Sequence, residues 1–81
     1  MDRDTGLLVR LPPLGEGLTR ATVAAWHVTV GDHVVVSQTL VTVQTAKIAV
    51  DVPSPAAGQV VALIAAVNST VGVGDPLLRL G

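Results

Sequence analysis

A single lysine, Lys47, stands among the 81 residues of the chain. A lone primary amine can serve chemistry in two ways. Desolvated beside a partner that lowers its pKa, it acts as a nucleophile or a base. Exposed on a rigid support, it becomes a position that another enzyme can acylate and no other, with its four-carbon stem still mobile. The neighbours Ala46 and Ile48 are small or apolar, and neither can tune the amine. The second use is the sharper reading of Lys47, and an ordinary solubilising lysine is the plain one.

The remaining reactive residues make no constellation. His27 and His33 lie six apart with Gly31-Asp32 between them. A metal pair on one strand wants alternate residues, and no acidic cluster joins them, so both read as rim histidines and no metal site is expected. Ser37, Ser54 and Ser69 lack the Gly-x-Ser-x-Gly setting of a nucleophile and read as turn or strand-end residues. Gly15-Glu16-Gly17 and Gly72-Val73-Gly74 would need a following helix to hold a phosphate. No helical pattern follows either. The chain therefore reads as a domain with no catalytic group of its own.

Composition narrows the partners. Five basic residues oppose six acidic ones, and the only aromatic is Trp26. Nucleic-acid binding needs clustered cations and stacking aromatics, and both are missing. The longest purely apolar run, residues 60–67, has 8 residues, far short of the ~20 a helix needs to cross a bilayer. The first six residues carry no apolar signal core and read as a disordered tail before a domain over 7–81. Without cysteine there is no disulfide and no thiolate zinc site. A cytoplasmic setting is the default expectation.

The elements that position Lys47 follow from the valines. Val, Ile and Thr fill 26 of 81 positions, with Gly and Pro punctuation between short runs. That pattern reads as all-β. Period-two sets (Val28 and Val30, Val34 and Val36, Val41 and Val43, and Ile48, Val50 and Val52) support this, and the turn residues between the runs place strands near 7–11, 21–28, 34–36, 39–45, 48–53, 59–66, 71–73 and 76–80. Ala24-Ala25 and Ala65-Ala66 fall inside two of these. Residues 23–44 align with 60–81 at a constant offset of 37. Gly31 then meets Asn68, both tolerant of a left-handed backbone, and Trp26 meets Leu63 as a core anchor. Chance matching in a Val-rich chain is the alternative. The repeat predicts two four-stranded halves related by a pseudo-twofold axis, neither able to bury its apolar face alone.

One stretch breaks the punctuation. From Thr39 to Val52 no Gly, Pro or Asn interrupts the chain, yet odd residues face the core before 45 and even residues after 47. A one-residue phase slip flips every side chain, so a turn must lie between Thr45 and Ile48. Its centre, Ala46-Lys47, has no turn chemistry, which points to a functional choice of residues.

With those residues placed, the chain resembles the lipoyl domain of the dihydrolipoamide acyltransferase of 2-oxo acid dehydrogenase complexes. The likeness is carried by Leu11-Pro12-Pro13-Leu14-Gly15-Glu16-Gly17-Leu18-Thr19, then by Trp26-His27-Val28-Thr29-Val30-Gly31-Asp32-His33-Val34. It continues through Val43-Gln44-Thr45-Ala46-Lys47, Val52-Pro53-Ser54-Pro55 and Val71-Gly72-Val73-Gly74-Asp75-Pro76. The resemblance implies a flattened β-barrel of two four-stranded antiparallel sheets. It implies lipoate in amide linkage on Lys47, with Gln44, Thr45, Ala46, Ile48 and Glu16 as recognition residues around the turn. The implied partners are a thiamine-diphosphate 2-oxo acid decarboxylase, an acyltransferase core, dihydrolipoamide dehydrogenase, and a lipoate ligase or lipoyl transferase. The loop at Leu14 to Leu18 would lie beside the lysine turn. The family pattern Glu-Thr-Asp-Lys-Ala becomes Gln44-Thr45-Ala46-Lys47-Ile48 here, so both acids are replaced. A biotinyl carrier domain, which usually sets Met on both sides of its lysine, is the nearest alternative. An unmodified barrel used as a spacer is another.

Overall fold

Short β-branched runs between turn residues leave the chain no long helix to form, and every regular element among the described residues is a strand. The computed structural model describes residues 6–15 and 17–81. The strands are β1 (Leu7–Arg10), β2 (Arg20–Trp26), β3 (His33–Val34), β4 (Thr39–Gln44), β5 (Ala49–Pro53), β6 (Gly58–Leu63), β7 (Thr70–Gly72) and β8 (Pro76–Leu80). They form two antiparallel sheets ordered β1-β8-β6-β3 and β5-β4-β2-β7. The offset of 37 carries β2, β3 and β4 onto β6, β7 and β8, and β5 takes the place of β1. The two sheets are thus equivalent, each holding three strands of one half and one strand, β3 or β7, exchanged from the other.

The hydrogen bonds repeat with the strands. Gly31 N–H donates to the Val60 carbonyl at 2.8 Å, and Asn68 N–H donates to that of Val23 at 2.8 Å. Val35 N–H donates to Gln38 Oε1 at 3.1 Å, and Gly72 N–H donates to Asp75 Oδ2 at 2.8 Å. Gly31 and Asn68 are both left-handed, with φ of 99° and 73°, as their alignment predicts. The same offset brings together a second left-handed pair, Ser37 at 74° and Gly74 at 91°.

Between the sheets lies an aliphatic core. Val23, Leu40, Val41, Val43, Val60, Leu77 and Leu78 are sealed from solvent. Strict alternation cannot bury both Leu40 and Val41, or both Leu77 and Leu78. The register slips at Leu40 between the β4–β5 pairs Thr39↔Pro53 and Val41↔Val52. It slips at Leu77 between the β1–β8 pairs Val9↔Leu78 and Arg10↔Pro76. A bulge lets two consecutive side chains turn inward.

Several expectations need correcting. Val30 and Val36 are not core residues but 60% and 59% exposed. Each follows the first residue of a tight turn, Thr29–Asp32 and Val35–Gln38, closed by backbone bonds of 3.1 Å. The chain has left the sheet there, so period two no longer holds. For the same reason β2, β3 and β6 end early, and Ala65-Ala66 lies outside any strand, although Ala65 and Val28 still face the core. Ile48 is exposed rather than inward, because it belongs to the turn. Trp26 is only half-buried at the core margin, where its indole N–H donates to the Ala65 carbonyl at 2.9 Å. Of the expected tail, residues 1–5 lie outside the described residues. Gly6 is seated where a Cβ would meet the Leu80 carbonyl oxygen at 2.6 Å.

Ser37 holds a left-handed backbone without a glycine. Ser37→Gly should raise stability by roughly 0.5–1 kcal/mol, the L-residue strain less the glycine's added unfolded-state entropy. Urea unfolding checks it as a higher midpoint at an unchanged slope.

Candidate functional site

Lys47 is held by a strand that is itself held on both sides. At its last residue, β4 pairs Gln44 with Ala49 of β5 and with Thr22 of β2. The core pairs Val43↔Val50 and Val41↔Val52 join odd to even residues, as the phase slip requires. The chain then reverses over Thr45–Ile48, with Thr45 N–H donating to the Ile48 carbonyl at 2.8 Å.

Thr45 closes this turn with its side chain. Its hydroxyl donates to the Ile48 carbonyl at 2.8 Å and accepts from the Ile48 and Lys47 amides at 2.9 and 3.1 Å. One donor and two acceptor sites are thereby all used. The residue is 7% exposed, so those bonds are shielded from water. The expectation of a turn without turn chemistry is therefore corrected. The chemistry sits one residue before the centre, in a threonine whose hydroxyl replaces a backbone acceptor. Among the described residues, Ser37 and Asn68 are the non-glycine residues with positive φ. Ala46 and Lys47 thus need no glycine.

Gln44 has a local reason for being there. Its side-chain amide donates to the Thr45 carbonyl at 3.0 Å. A glutamate could offer only acceptors to that oxygen. Ala46, Lys47 and Ile48 are all exposed, so the turn presents the amine between a methyl group and an apolar side chain. Glu16 lies outside the described residues. In the loop before β2, Leu18 N–H donates to the Gly15 carbonyl at 3.1 Å, and Leu14 packs on the core.

Sequence reasoning missed Arg20. Thr22 pairs with Gln44, so β2 continues past the end of β4 and runs beside the turn. Arg20, Thr22, Gln44, Thr45, Ala46 and Thr70 line a shallow pocket of about 360 Å³ there. The signal is cross-strand register, which a single chain of letters does not carry.

The other candidates are occupied elsewhere. Thr42 donates its hydroxyl proton to Asp51 Oδ1 at 2.8 Å and lies 2.7 Å from His27 Nε2. With that proton spent on Asp51, His27 Nε2–H must be the donor, so the imidazole cannot deprotonate Thr42. Ser54 and Ser69 donate to the Ala56 and Ala66 carbonyls at 2.6 Å, as turn residues. No cluster able to hold a metal occurs among the described residues, and no helix there is long and apolar enough to cross a membrane.

A family model described as biotin-requiring enzyme, covering biotin and lipoyl domains, matches residues 8–80. The chain belongs to this biotin and lipoyl domain family. A dihydrolipoyllysine-residue acetyltransferase component of pyruvate dehydrogenase complex from Mycobacterium tuberculosis is 44% identical over 73 residues, 90% of this chain and 13% of the relative. The lipoamide acyltransferase component of branched-chain alpha-keto acid dehydrogenase complex from Pseudomonas aeruginosa is 40% identical over 73 residues, 90% of this chain and 17% of the relative. The chain spans less than a fifth of either relative. The solution structure of the lipoyl domain of the 2-oxoglutarate dehydrogenase complex from Azotobacter vinelandii is 27% identical with a TM-score of 0.73, covering 93% of this chain and 95% of that one. A long-chain acyl-CoA carboxylase at 22% identity and TM-score 0.80, covering 98% of this chain and 7% of that one, shares the fold.

Thr45→Ala would strand the Lys47 and Ile48 amides and cost roughly 1–2 kcal/mol. Thr45→Ser, which keeps the hydroxyl, should recover most of it. Denaturant titration measures the cost, and faster hydrogen exchange at Ile48 in the alanine variant locates it.

Proposed function

We propose that this chain is a lipoyl carrier domain and that Lys47 is its attachment site. One observation carries the reading: the chain's single lysine stands exposed on a two-residue turn whose backbone is locked by a buried hydroxyl. Lipoate in amide linkage would supply the dithiolane that accepts an acyl group and hands it on. The chain itself presents that group and is recognised while doing so, and the reactive chemistry belongs to the cofactor.

The geometry fits this task. Lys47 lies between exposed residues, so an acylating enzyme can reach its amine from outside. The hydrogen-bonded turn fixes where the stem begins, and the four methylenes give the arm its reach. A flexible loop would give a less defined starting point. Holding the arm on the same assembly as its partners replaces diffusion by a high effective concentration. Those partners are a thiamine-diphosphate 2-oxo acid decarboxylase that loads the arm, an acyltransferase core that moves the acyl group to coenzyme A, and dihydrolipoamide dehydrogenase. A lipoate ligase or lipoyl transferase installs the cofactor. The relatives above come from complexes for different 2-oxo acids and match to a similar degree, and they support the carrier role in common.

Expression with lipoate and a lipoate ligase should add the mass of one lipoyl group, and Lys47→Arg should abolish the addition. Intact-mass spectrometry reads both. A biotinyl adduct instead, or a lipoyl adduct surviving in Lys47→Arg, would overturn the assignment.

A further inference from the structure

A cation lines the pocket beside the lysine turn. β7 supplies Thr70, β2 supplies Arg20 and Thr22, and β4 with the turn supplies Gln44, Thr45 and Ala46. Among the described residues, Arg20 is the one charged side chain lining it. Asp75 is within the same region of the sheet, since Arg20 pairs with Gly72 and Gly72 N–H donates to Asp75 Oδ2 at 2.8 Å. That carboxylate is engaged by the β7 backbone and does not line the pocket. Lys47 follows directly on the pocket's rim at Ala46, and once its amine is acylated it is no longer a cation. Arg20 then carries the positive charge of this surface.

The other described lining residues are neutral, and several of them add hydrogen-bonding capacity. Thr22 and Thr70 stand across from one another in the β2–β7 ladder. The Gln44 amide is turned toward the Thr45 carbonyl. An exposed guanidinium on such a pocket is suited to a carboxylate, which it can meet through two parallel N–H donors. An incoming protein with an acidic side chain at this place would gain both attraction and orientation, and one with a basic side chain would be repelled.

Resting on the carrier reading, we propose that the enzyme loading the Lys47 arm docks on this pocket through a carboxylate side chain that pairs with Arg20. Docking there would set the acyl-donor site over the arm's root, because Ala46 belongs both to the pocket and to the turn. Arg20 is then a partner-selecting residue, not a catalytic one.

The test uses the full chain, lipoylated at Lys47, as substrate for the thiamine-diphosphate decarboxylase of its own complex. Intact mass first confirms equal lipoylation of wild type, Arg20→Glu, Arg20→Lys and Ala46→Asp, and amide spectra confirm an unchanged fold. Reductive acylation should then show KM for the domain raised at least tenfold by Arg20→Glu with kcat little changed. Arg20→Lys should lie within about threefold of wild type, and Ala46→Asp, which puts an anion on the rim, should also raise KM. Added salt should raise the wild-type KM and flatten the difference between wild type and Arg20→Glu. Equal lipoylation with an Arg20→Glu KM within twofold of wild type would overturn the docking proposal and leave the carrier reading standing. Faster loading of Ala46→Asp would do the same. An Arg20→Glu defect seen with a dicarboxylic 2-oxo acid but not with a monocarboxylic one would assign the carboxylate to the acyl group and overturn the protein-docking proposal. Failure of any lipoyl group to attach would remove the carrier reading and this proposal together.

Discussion

Two four-stranded sheets, each apolar on one face, must cover each other or expose that face to water. Every other feature of the molecule depends on this constraint. The side chains available to fill the gap are small: valines with a few leucines, and no phenylalanine or tyrosine. Such a core gains little from any one residue, since burying a valine or leucine is worth about 1.5–3 kcal/mol. It holds because packing is continuous from Val23 and Val43 on one sheet to Val60, Leu77 and Leu78 on the other. The bulges at Leu40 and Leu77 serve the same end. Each turns an extra large side chain into a core that alternation alone would leave underfilled.

The lysine turn inherits its rigidity from that core. Val43 and Val50 are the last inward pair before the hairpin leaves the barrel, and Gln44 is tied to both neighbouring strands. Beyond them only four residues are needed to reverse the chain. Thr45 makes this possible by burying a hydroxyl that accepts two amides and donates to one carbonyl. The apex residues are thus relieved of structural duties and free to be exposed. The pseudo-twofold operation relates the β4–β5 hairpin to the pairing of β8 with β1. The lysine turn therefore occupies the place equivalent to the one where the chain enters at Gly6 and leaves at Gly81. One half of the repeat joins its two strands there by a turn, and the other half leaves them unjoined.

The two departures around the lysine have different physical meanings. Gln44 donates to a backbone carbonyl that a carboxylate would oppose, so its identity serves the turn. Ala46 makes no such bond and only forms the rim of the Arg20 pocket, so its identity serves the surface.

Most of the architecture was legible along the chain because it is written in local terms. Short apolar runs between turn residues mark the strands, with alternation of β-branched residues in several of them, and the change of phase after Val43 marks the hairpin. The Gly31–Asn68 match marks two left-handed turns, since few residue types tolerate that backbone. Local pattern also misled, at Val30 and Val36, where period two continued in letters after the strand had ended in space. The sequence by itself determined the strands, the twofold repeat and the one amine at a turn, because each depends on the chirality, branching or order of neighbouring residues. Only the tertiary structure decided that Thr45 closes the turn, that Leu40 and Leu77 bulge inward, that Trp26 stays at the margin and that Arg20 stands beside the lysine. Those facts depend on register between strands distant in sequence, and register is settled when two sheets find the one pairing that fills the space between them.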